Sequence, residues 1–384
     1  MRVPRLSCGS SWLALLIPAL ACGPALACGP KVALTDHVPD GTAVPTGAEA
    51  GTSPPPGASG SGDDTSPPHG PGLVIIGGGA DVDAAFVWMH DTITGSPSAT
   101  GGDIAVLRTE DNNAYDAYIT RLARFNSVRT LTVPVGAGAE ALATAASVVT
   151  AAEGVFFAGG DQADYVRWNG APLMEAVKGV YARGGVIGGT SAGAAIEGPF
   201  VFDAIAADAA KPRRSVSSAD ALANPFDSAI SFTRGMFEWP TVGGAIFDPH
   251  FRQRDRMGRL LTFMARQYAD GAATDGPVIG VGVDEGTALL IDKAGLATVA
   301  MQSTRGAAFI LRGQGPADSC VSGQPLVYRG VQIMRLDAAN QTYDFARGCG
   351  TGTSFALDVD GSVRKHPYTP ASPYTATGTT TSCD

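Results

Sequence analysis

The chain has 384 residues and a formal net charge of −9 at pH 7. An acidic balance of this size argues against a protein that neutralises phosphates, so nucleic acid is not an expected partner. Hydrophobic residues make up 45% of the chain and charged residues 16%, which is typical of a protein that folds around a large core and excludes a wholly disordered chain.

The N-terminal part is predicted to be a leader followed by a tether. Residues 1–28 carry basic residues ahead of a short apolar run, which is the layout of a signal peptide. Residues 29–71 are rich in Pro and Gly and cannot bury enough apolar surface to fold. Cleavage to a soluble protein and lipid attachment to Cys22 or Cys28 are alternative outcomes. We therefore expect a secreted, periplasmic or outer-surface protein that contacts a membrane only through such an anchor.

Residues 72–302 alternate short apolar runs with segments of helical length. The runs fit buried parallel strands and cover 73–76, 104–107, 131–135, 155–157, 186–187, 245–247 and 278–283. The clearest helical period spans 254–268. This order predicts an α/β fold with a mostly parallel sheet flanked by helices. Residues 303–384 change to short strands with Gly, Asn and Asp turns, which predicts a β-rich C-terminal extension.

A candidate nucleophile follows one of these strands. Residues 189–193 read Gly-Thr-Ser-Ala-Gly, a G-x-S-x-G pattern whose small residues permit a sharp turn. Such a turn lifts the Ser191 hydroxyl clear of the sheet and points the Ala192 N–H at an oxyanion. The alternative is a glycine-rich turn whose serine only caps the next helix. The position between a strand and a helix favours the nucleophile.

A serine nucleophile needs a base, and elimination among the histidines leaves one candidate. Two histidines lie in the tether, one lies in the C-terminal tail and one lies on the predicted first helix, where a structural role is expected; they are His37, His69, His366 and His90. His250 remains, in a loop directly after a predicted strand. We therefore predict that His250 is the base for Ser191.

The base in turn needs a carboxylate that holds its tautomer. Asp284 and Glu285 follow a predicted strand and are the best placed, and Asp248 is a further candidate. Adjacent residues of an extended chain point to opposite faces, so at most one of Asp284 and Glu285 can face His250. The residues by themselves do not choose between these acids.

Four arginines crowd the segment after His250. Such a cluster suits a substrate with carboxylates, which guanidinium groups bind bidentately, or it forms a solvated helix face. The four are Arg252, Arg254, Arg256 and Arg259. The glycines at 77–79 lack the glycine at position 82 that a dinucleotide fingerprint requires, and no metal-binding spacing is present. We therefore expect neither a metal nor another cofactor.

The C-terminal part carries three cysteines, Cys320, Cys349 and Cys383. An oxidising compartment would allow two of them to pair. The sequence does not choose the pair.

Four successive segments resemble the motifs of cyanophycinases and their aspartyl dipeptidase relatives. They read FFAGGDQ at 156–162, GGTSAGAA at 188–195, DPHFRQRDRMGRL at 248–260 and GVGVDEGTALLI at 280–291. The opening LVIIGGGAD at 73–81 is similar too, so the likeness spans roughly 72–300. The resemblance implies a serine peptidase on a sheet like that of class I glutamine amidotransferases.

The resemblance also implies roles for individual residues. Ser191 would be the nucleophile, His250 the base and Glu285 the third member. Independently of the resemblance, we expect the oxyanion to be held by the Ala192 N–H and by one from the Gly159-Gly160 turn, with Gly160 as the donor. Other positions match those that grip substrate in the family; they are Gln162, Asp248, Arg254, Arg256 and Arg259. The base would lose its function as it protonates below about pH 6.5.

The expected substrate is cyanophycin, a polyaspartate chain with arginines on its β-carboxyls, and the expected products are β-aspartyl-arginine dipeptides. A homodimer is the expected assembly. The chain departs from the family at Pro249, where the family has Gln, and this leaves the substrate open. Two alternatives also stay open: an esterase of the α/β-hydrolase type, and a catalytically inactive surface binding protein on the same fold.

Overall fold

A computed structural model of the chain describes residues 67–205, 215–303 and 305–383. The predicted signal peptide, with Cys8, Cys22 and Cys28, and most of the predicted tether lie outside the described residues. The last tether residues lie against the folded part, where the His69 N–H donates to the Ile93 carbonyl oxygen at 3.1 Å. Within the described segments, no helix has both the length and the apolar character to cross a membrane.

The helices of the described residues are mostly short. They are Asp83–Thr94 (α1), Ala114–Leu122 (α2), Ala139–Thr150 (α3), Gln162–Tyr165 (α4), Pro172–Ala182 (α5), Ala192–Ala195 (α6), Ser218–Ala223 (α7) and Met257–Ala269 (α8).

The strands are more numerous than the helices. They are Gly72–Ile76 (β1), Asp103–Arg108 (β2), Ser127–Thr132 (β3), Gly154–Phe157 (β4), Val186–Thr190 (β5), Phe200–Phe202 (β6), Phe232–Arg234 (β7), Ile246–Asp248 (β8), Val278–Val283 (β9), Thr287–Ile291 (β10), Leu296–Met301 (β11), Ala308–Gly313 (β12), Val327–Leu336 (β13), Thr342–Asp344 (β14), Cys349–Gly350 (β15), Thr353–Asp360 (β16), Tyr368–Thr369 (β17) and Thr379–Thr380 (β18).

The first sheet has nine strands in the order β15-β14-β11-β10-β1-β5-β4-β2-β3. Five neighbouring strands run parallel to one another, in the order β1-β5-β4-β2-β3. The other four, β10, β11, β14 and β15, pair antiparallel. Both faces are buried: Leu73 and Ile75 of β1 pack into one core, and Val74 and Ile76 pack into another. Burial on both sides explains why these strands are continuous apolar runs.

The second sheet has seven strands, with the order β17-β16-β13-β12-β9-β8 and β18 paired to β16. Only β8 and β9 are parallel; the other pairings are antiparallel. Within residues 72–302, for which a mostly parallel sheet is predicted, five strand pairings are parallel and three are antiparallel; every pairing that involves a later strand is antiparallel. A parallel pair needs a crossover of about a dozen residues or more, and links such as 292–295 between β10 and β11 are too short for one.

The residues after 302 belong to both sheets. Strand β12 pairs with β9 in the second sheet, and β14 pairs with β11 in the first. The predicted division between 72–302 and 303–384 therefore runs through both sheets.

The observed ends of helices and strands differ most from the predicted ends where the chain turns sharply. The run 278–283 matches β9, but the predicted strand 131–135 lies largely beyond β3, which ends before Pro134. The predicted helix 254–268 begins later, as α8 at Met257. The residues before it form a tight turn in which Asp255 has φ 47°.

Candidate active site

Ser191 lies at a sharp turn between β5 and α6. Its backbone has φ 51° and ψ −116°, a conformation that a non-glycine residue rarely adopts. The Ser191 N–H donates to the Ile76 carbonyl oxygen at 3.1 Å, which ties the turn to the end of β1. A Cβ at Gly193 would lie 2.2 Å from the Phe157 carbonyl oxygen, so the turn requires glycine there. The serine side chain makes no capping hydrogen bond to α6, which removes the capping alternative.

His250 meets Ser191 across this turn. The distance between Ser191 Oγ and His250 Nε2 is 2.7 Å. The imidazole is buried, with 1% of the residue exposed. The backbone of His250 also lies in the left-handed region, with φ 50°. Its N–H donates to the Gly77 carbonyl oxygen at 2.7 Å, which holds this turn against the loop after β1.

Glu285 lies where the chain passes from β9 of the second sheet to β10 of the first. Its Oε1 lies 2.6 Å from His250 Nδ1. A neutral imidazole that donates from Nδ1 to this carboxylate has Nε2 available to accept a proton from Ser191. The structure therefore brings the serine, the imidazole and the acid into one chain of hydrogen bonds.

The neighbouring acid, Asp284, faces the other way and is fully buried. Its carboxylate accepts hydrogen bonds from the Arg252 N–H at 2.9 Å, from Arg252 Nη2 at 2.5 Å and from the Ala307 N–H at 3.1 Å. Burial raises the pKa of Asp284, and Arg252 opposes that rise. Asp284 thus links the turn after His250 to the turn that carries Glu285.

The environment of His250 disfavours its protonated form. Burial, followed by the charges of Arg256, Arg254 and Arg259, lowers the pKa of His250 from 6.5 to about 2. Each of these causes acts against a positive charge on the ring. The imidazole is therefore neutral at neutral pH, as a base must be.

The glycine triplet at 77–79 packs directly against these turns. A Cβ at Gly78 would lie 2.3 Å from His250 Cε1, and Gly78 has φ 85°. The carbonyl oxygen of Gly78 accepts from the Gly286 N–H at 2.9 Å, next to Glu285. The triplet therefore gives the imidazole room and ties the loop after β1 to the acid. The sequence excludes a nucleotide cradle at these glycines and shows their likeness to the family, but it does not predict their contact with the imidazole.

The arginines after His250 separate into different environments. Asp248, which is 2% exposed, accepts from Arg259 Nε at 2.8 Å and from Arg256 Nη1 at 3.3 Å. Arg256 Nη1 also donates to the Pro249 carbonyl oxygen at 2.7 Å. Asp248, Arg256 and Arg259, which the resemblance assigns to substrate, thus form a buried ion cluster beneath the His250 turn.

Arg254 differs from its neighbours because it is exposed. It makes no ion pair with any residue that the structure describes, while its charge acts on His250. Arg252 is bound to Asp284. Of the four clustered arginines, Arg254 is thus the one with an exposed guanidinium beside the site.

The remaining predicted site residues lie at the ends of neighbouring strands. Gly160, with φ 144°, follows β4, which pairs with β5. Gln162 begins α4, and its Nε2 lies 3.5 Å from the Phe202 carbonyl oxygen. Ala192 begins α6 directly after Ser191. In the described part of the chain, no three His, Cys, Asp or Glu side chains are arranged to hold a metal ion.

His90 and the three C-terminal cysteines lie away from the site. His90 is buried, with its Nδ1 2.9 Å from Asp91 and its ring edge-to-face with Phe125, so it has the expected structural environment. Among the cysteines, Cys349 and Cys383 form the disulfide, and Cys320 is a half-buried free thiol.

Comparison with known proteins finds similarity to cyanophycinases. The chain is 31% identical over 151 residues to cyanophycinases of Trichormus variabilis and of Nostoc sp. PCC 7120. The match covers 38% of this chain and 41% of each relative, so it spans about two fifths of the curated relatives' length. No protein-family model matches the chain.

Two solved structures also align with the chain. A peptidase from an acI-B1 actinobacterium aligns with 18% identity and a TM-score of 0.41, over 67% of this chain and 98% of its own. A candidate peptidase E from Listeria monocytogenes EGD-e aligns with 12% identity and a TM-score of 0.38, over 61% of this chain and 100% of its own.

Proposed function

We propose that the protein is a serine peptidase of the cyanophycinase type, with Ser191 as nucleophile, His250 as base and Glu285 as the acid that orients the base. The observation that carries this proposal is the pair of contacts at His250, 2.7 Å to Ser191 Oγ and 2.6 Å to Glu285 Oε1. Three residues that are far apart in the sequence converge in the order that acyl transfer requires.

The proposed reaction begins when Ser191 Oγ attacks the carbonyl carbon of the scissile amide. The hydroxyl proton passes to His250 Nε2, and Glu285 stabilises the imidazolium that forms. The oxyanion is held by the Ala192 and Gly160 N–H groups. His250 then gives the proton to the leaving amine, which leaves an acyl group on Ser191. Water activated by His250 hydrolyses this ester and restores the serine.

The proposed substrate is cyanophycin, cleaved to β-aspartyl-arginine dipeptides. The similarity to cyanophycinases supports this choice. The exposed Arg254 guanidinium beside His250 suits a carboxylate of such a substrate. The paired Arg256 and Arg259 do not support direct contact with substrate, because their guanidinium groups bind Asp248. Pro249 replaces the family's Gln, so we assign it no role in binding the substrate through its side chain.

We also propose that the protein is exported from the cytoplasm. The Cys349–Cys383 disulfide is typical of a protein that matures in an oxidising compartment. This supports a secreted, periplasmic or surface protein, either soluble or held by a lipid on Cys22 or Cys28. A homodimer is likewise proposed as the assembly.

The two rival functions have less support from the site. In an α/β-hydrolase esterase the acid precedes the histidine in the chain, whereas Glu285 follows His250. An inactive binding protein would not require the buried Ser191–His250 contact at 2.7 Å.

Product analysis tests the proposed substrate. The full-length protein is incubated with insoluble cyanophycin and, separately, with isolated β-aspartyl dipeptides, and the products are identified by mass. We expect β-aspartyl-arginine dipeptides from the polymer, and none with the Ser191→Ala variant. Release of free amino acids from the dipeptides alone, or hydrolysis of simple esters with an intact polymer, would contradict the proposal.

A further inference from the structure

The C-terminal tail reaches the turn that carries His250. The hydroxyl of Tyr374 donates to Asp255 Oδ1 at 2.9 Å and accepts from the Met257 N–H at 2.8 Å. Burial and the Asp255 carboxylate raise the pKa of Tyr374. The phenol therefore keeps its proton and can act as donor and acceptor at once.

The turn that Tyr374 contacts needs support from outside. His250 and Asp255 have φ 50° and 47°, and each such non-glycine residue costs on the order of 1 kcal/mol or more. Helix α8 begins directly after this turn, and its N-cap residue supplies no capping side chain. The Tyr374 hydroxyl supplies a capping hydrogen bond instead, because it accepts from the Met257 N–H, the first of the helix. The two residues are more than a hundred positions apart in the sequence.

The ring of Tyr374 adds a second contact. It packs edge-to-face against Phe251, with the centroids 5.7 Å apart, and against Phe309 at 5.9 Å. Phe251 is fully buried and directly follows His250. Tyr374 thus holds the turn at both ends, through Phe251 at its start and through Met257 at its end.

The tail around Tyr374 is itself held in place on both sides. Before it, β17 pairs with β16, and after it, β18 pairs with the same strand. Arg335 Nη1 donates to the carbonyl oxygens of Tyr374 and Ala376, at 3.3 Å and 3.0 Å. The Cys349–Cys383 disulfide joins the end of the tail to β15.

We propose that Tyr374 is a positioning residue, which holds the His250 turn in register with Ser191 and gives the C-terminal β-rich part a direct role in the site. The inference rests on the proposed function of Ser191, His250 and Glu285. Tyr374 acts through His250, with no contact to the substrate required. Loss of its hydroxyl should loosen the turn and expose the imidazole to water, which raises the pKa of His250 toward its ordinary value.

The test compares Tyr374→Phe with Tyr328→Phe in the full chain. Tyr328 is the control, since it is a buried tyrosine of the C-terminal part, where Tyr374 is half-buried, and its hydroxyl likewise makes a hydrogen bond, to the Gly315 carbonyl oxygen at 2.8 Å, away from the His250 turn. The measurement is the rate at which a fluorophosphonate labels Ser191 as a function of pH. This readout does not depend on the natural substrate.

We expect Tyr374→Phe to slow labelling about tenfold at pH 7, the effect of roughly one lost hydrogen bond, and to move the acid limb of the pH profile upward. Tyr328→Phe should keep the wild-type rate within about twofold and the same acid limb, although both variants lose a hydrogen bond. Should Tyr374→Phe fail to fold, Asp255→Asn weakens the same contact and should shift the acid limb in the same direction.

Two results would overturn the inference. One is Tyr374→Phe labelled at the wild-type rate with an unchanged pH profile. The other is an equal loss in both variants, which would indicate general loosening. A wild-type protein that the probe does not label at all would instead overturn the proposed function, and the inference with it. The wild-type control therefore distinguishes the two failures.

Discussion

Burial has different consequences in the turns that carry Ser191, His250 and Glu285 and in the arginine-rich segment beside them. In the turns, a buried imidazole is placed between a hydroxyl and a carboxylate, and its neighbours keep it neutral. In the segment, buried Arg256 and Arg259 bind Asp248, and only Arg254 keeps an exposed guanidinium. A charge near a site is available to a substrate only where burial has not already required a partner for it.

The largest expected effect comes from the serine. Replacing Ser191 with alanine should lower kcat on cyanophycin by about 10³-fold or more, because the members of a triad act as a unit. The thermal unfolding temperature should change little, since the variant removes one oxygen atom. Near-normal turnover of the polymer by this variant would show that the turn has no catalytic role.

Two arginine variants test the difference between a buried, paired arginine and an exposed one. Arg259→Ala leaves Asp248 with a buried charge that has lost its main partner, and this should lower the free energy of unfolding by about 3–5 kcal/mol. Arg254→Ala should leave the free energy of unfolding within about 0.5 kcal/mol, while kcat/KM on the polymer falls roughly tenfold. Denaturant unfolding and polymer kinetics measure the two effects. Equal stability losses in both variants would show that Arg254 and Arg259 do not differ in the partners they require.

A smaller effect concerns pH. Because the pKa of His250 lies below its ordinary value, the folded protein keeps a neutral base below about pH 6.5, where the sequence alone predicts loss of activity. The profile of kcat/KM should therefore stay level from pH 7 to about 5.5 and fall only at lower pH.

Falling pH keeps the base active but lowers the stability of the fold. Below about pH 6.5, the unfolded chain binds a proton at this histidine and the folded chain does not, so His250 makes folding less favourable as the pH drops. In Arg254→Ala, one of the charges that lower the pKa of His250 is gone, and the acid limb should move to higher pH. An acid limb at pH 6.5 or above in the wild type would contradict this account.

The sequence predicts the four buried parallel strands of the first sheet, β1, β2, β4 and β5, because strands buried on both faces are continuous apolar runs; β3 is only partly buried, and its prediction is misplaced. The sequence fails for the antiparallel remainder. Strands β10 and β14 each join a different sheet from the strand that precedes them in the chain, and a local periodic pattern does not show that change of sheet.

For the site, the G-x-S-x-G pattern and elimination among the histidines suffice to bring Ser191 and His250 together. The choice between Asp284 and Glu285 depends on which side of the strand end each faces, and only the resemblance predicted it. The contact of Tyr374 with the His250 turn has no sequence signal, since it joins residues more than a hundred positions apart.

The proposed function depends above all on the activation of the Ser191 hydroxyl by His250. The most direct measurement reacts the full-length protein and its His250→Ala variant with a fluorophosphonate and maps the adduct by mass. We expect a single adduct on Ser191 in the wild-type protein, formed at least about 10²-fold more slowly in the variant. No adduct on Ser191, or undiminished labelling without His250, would contradict the proposed function.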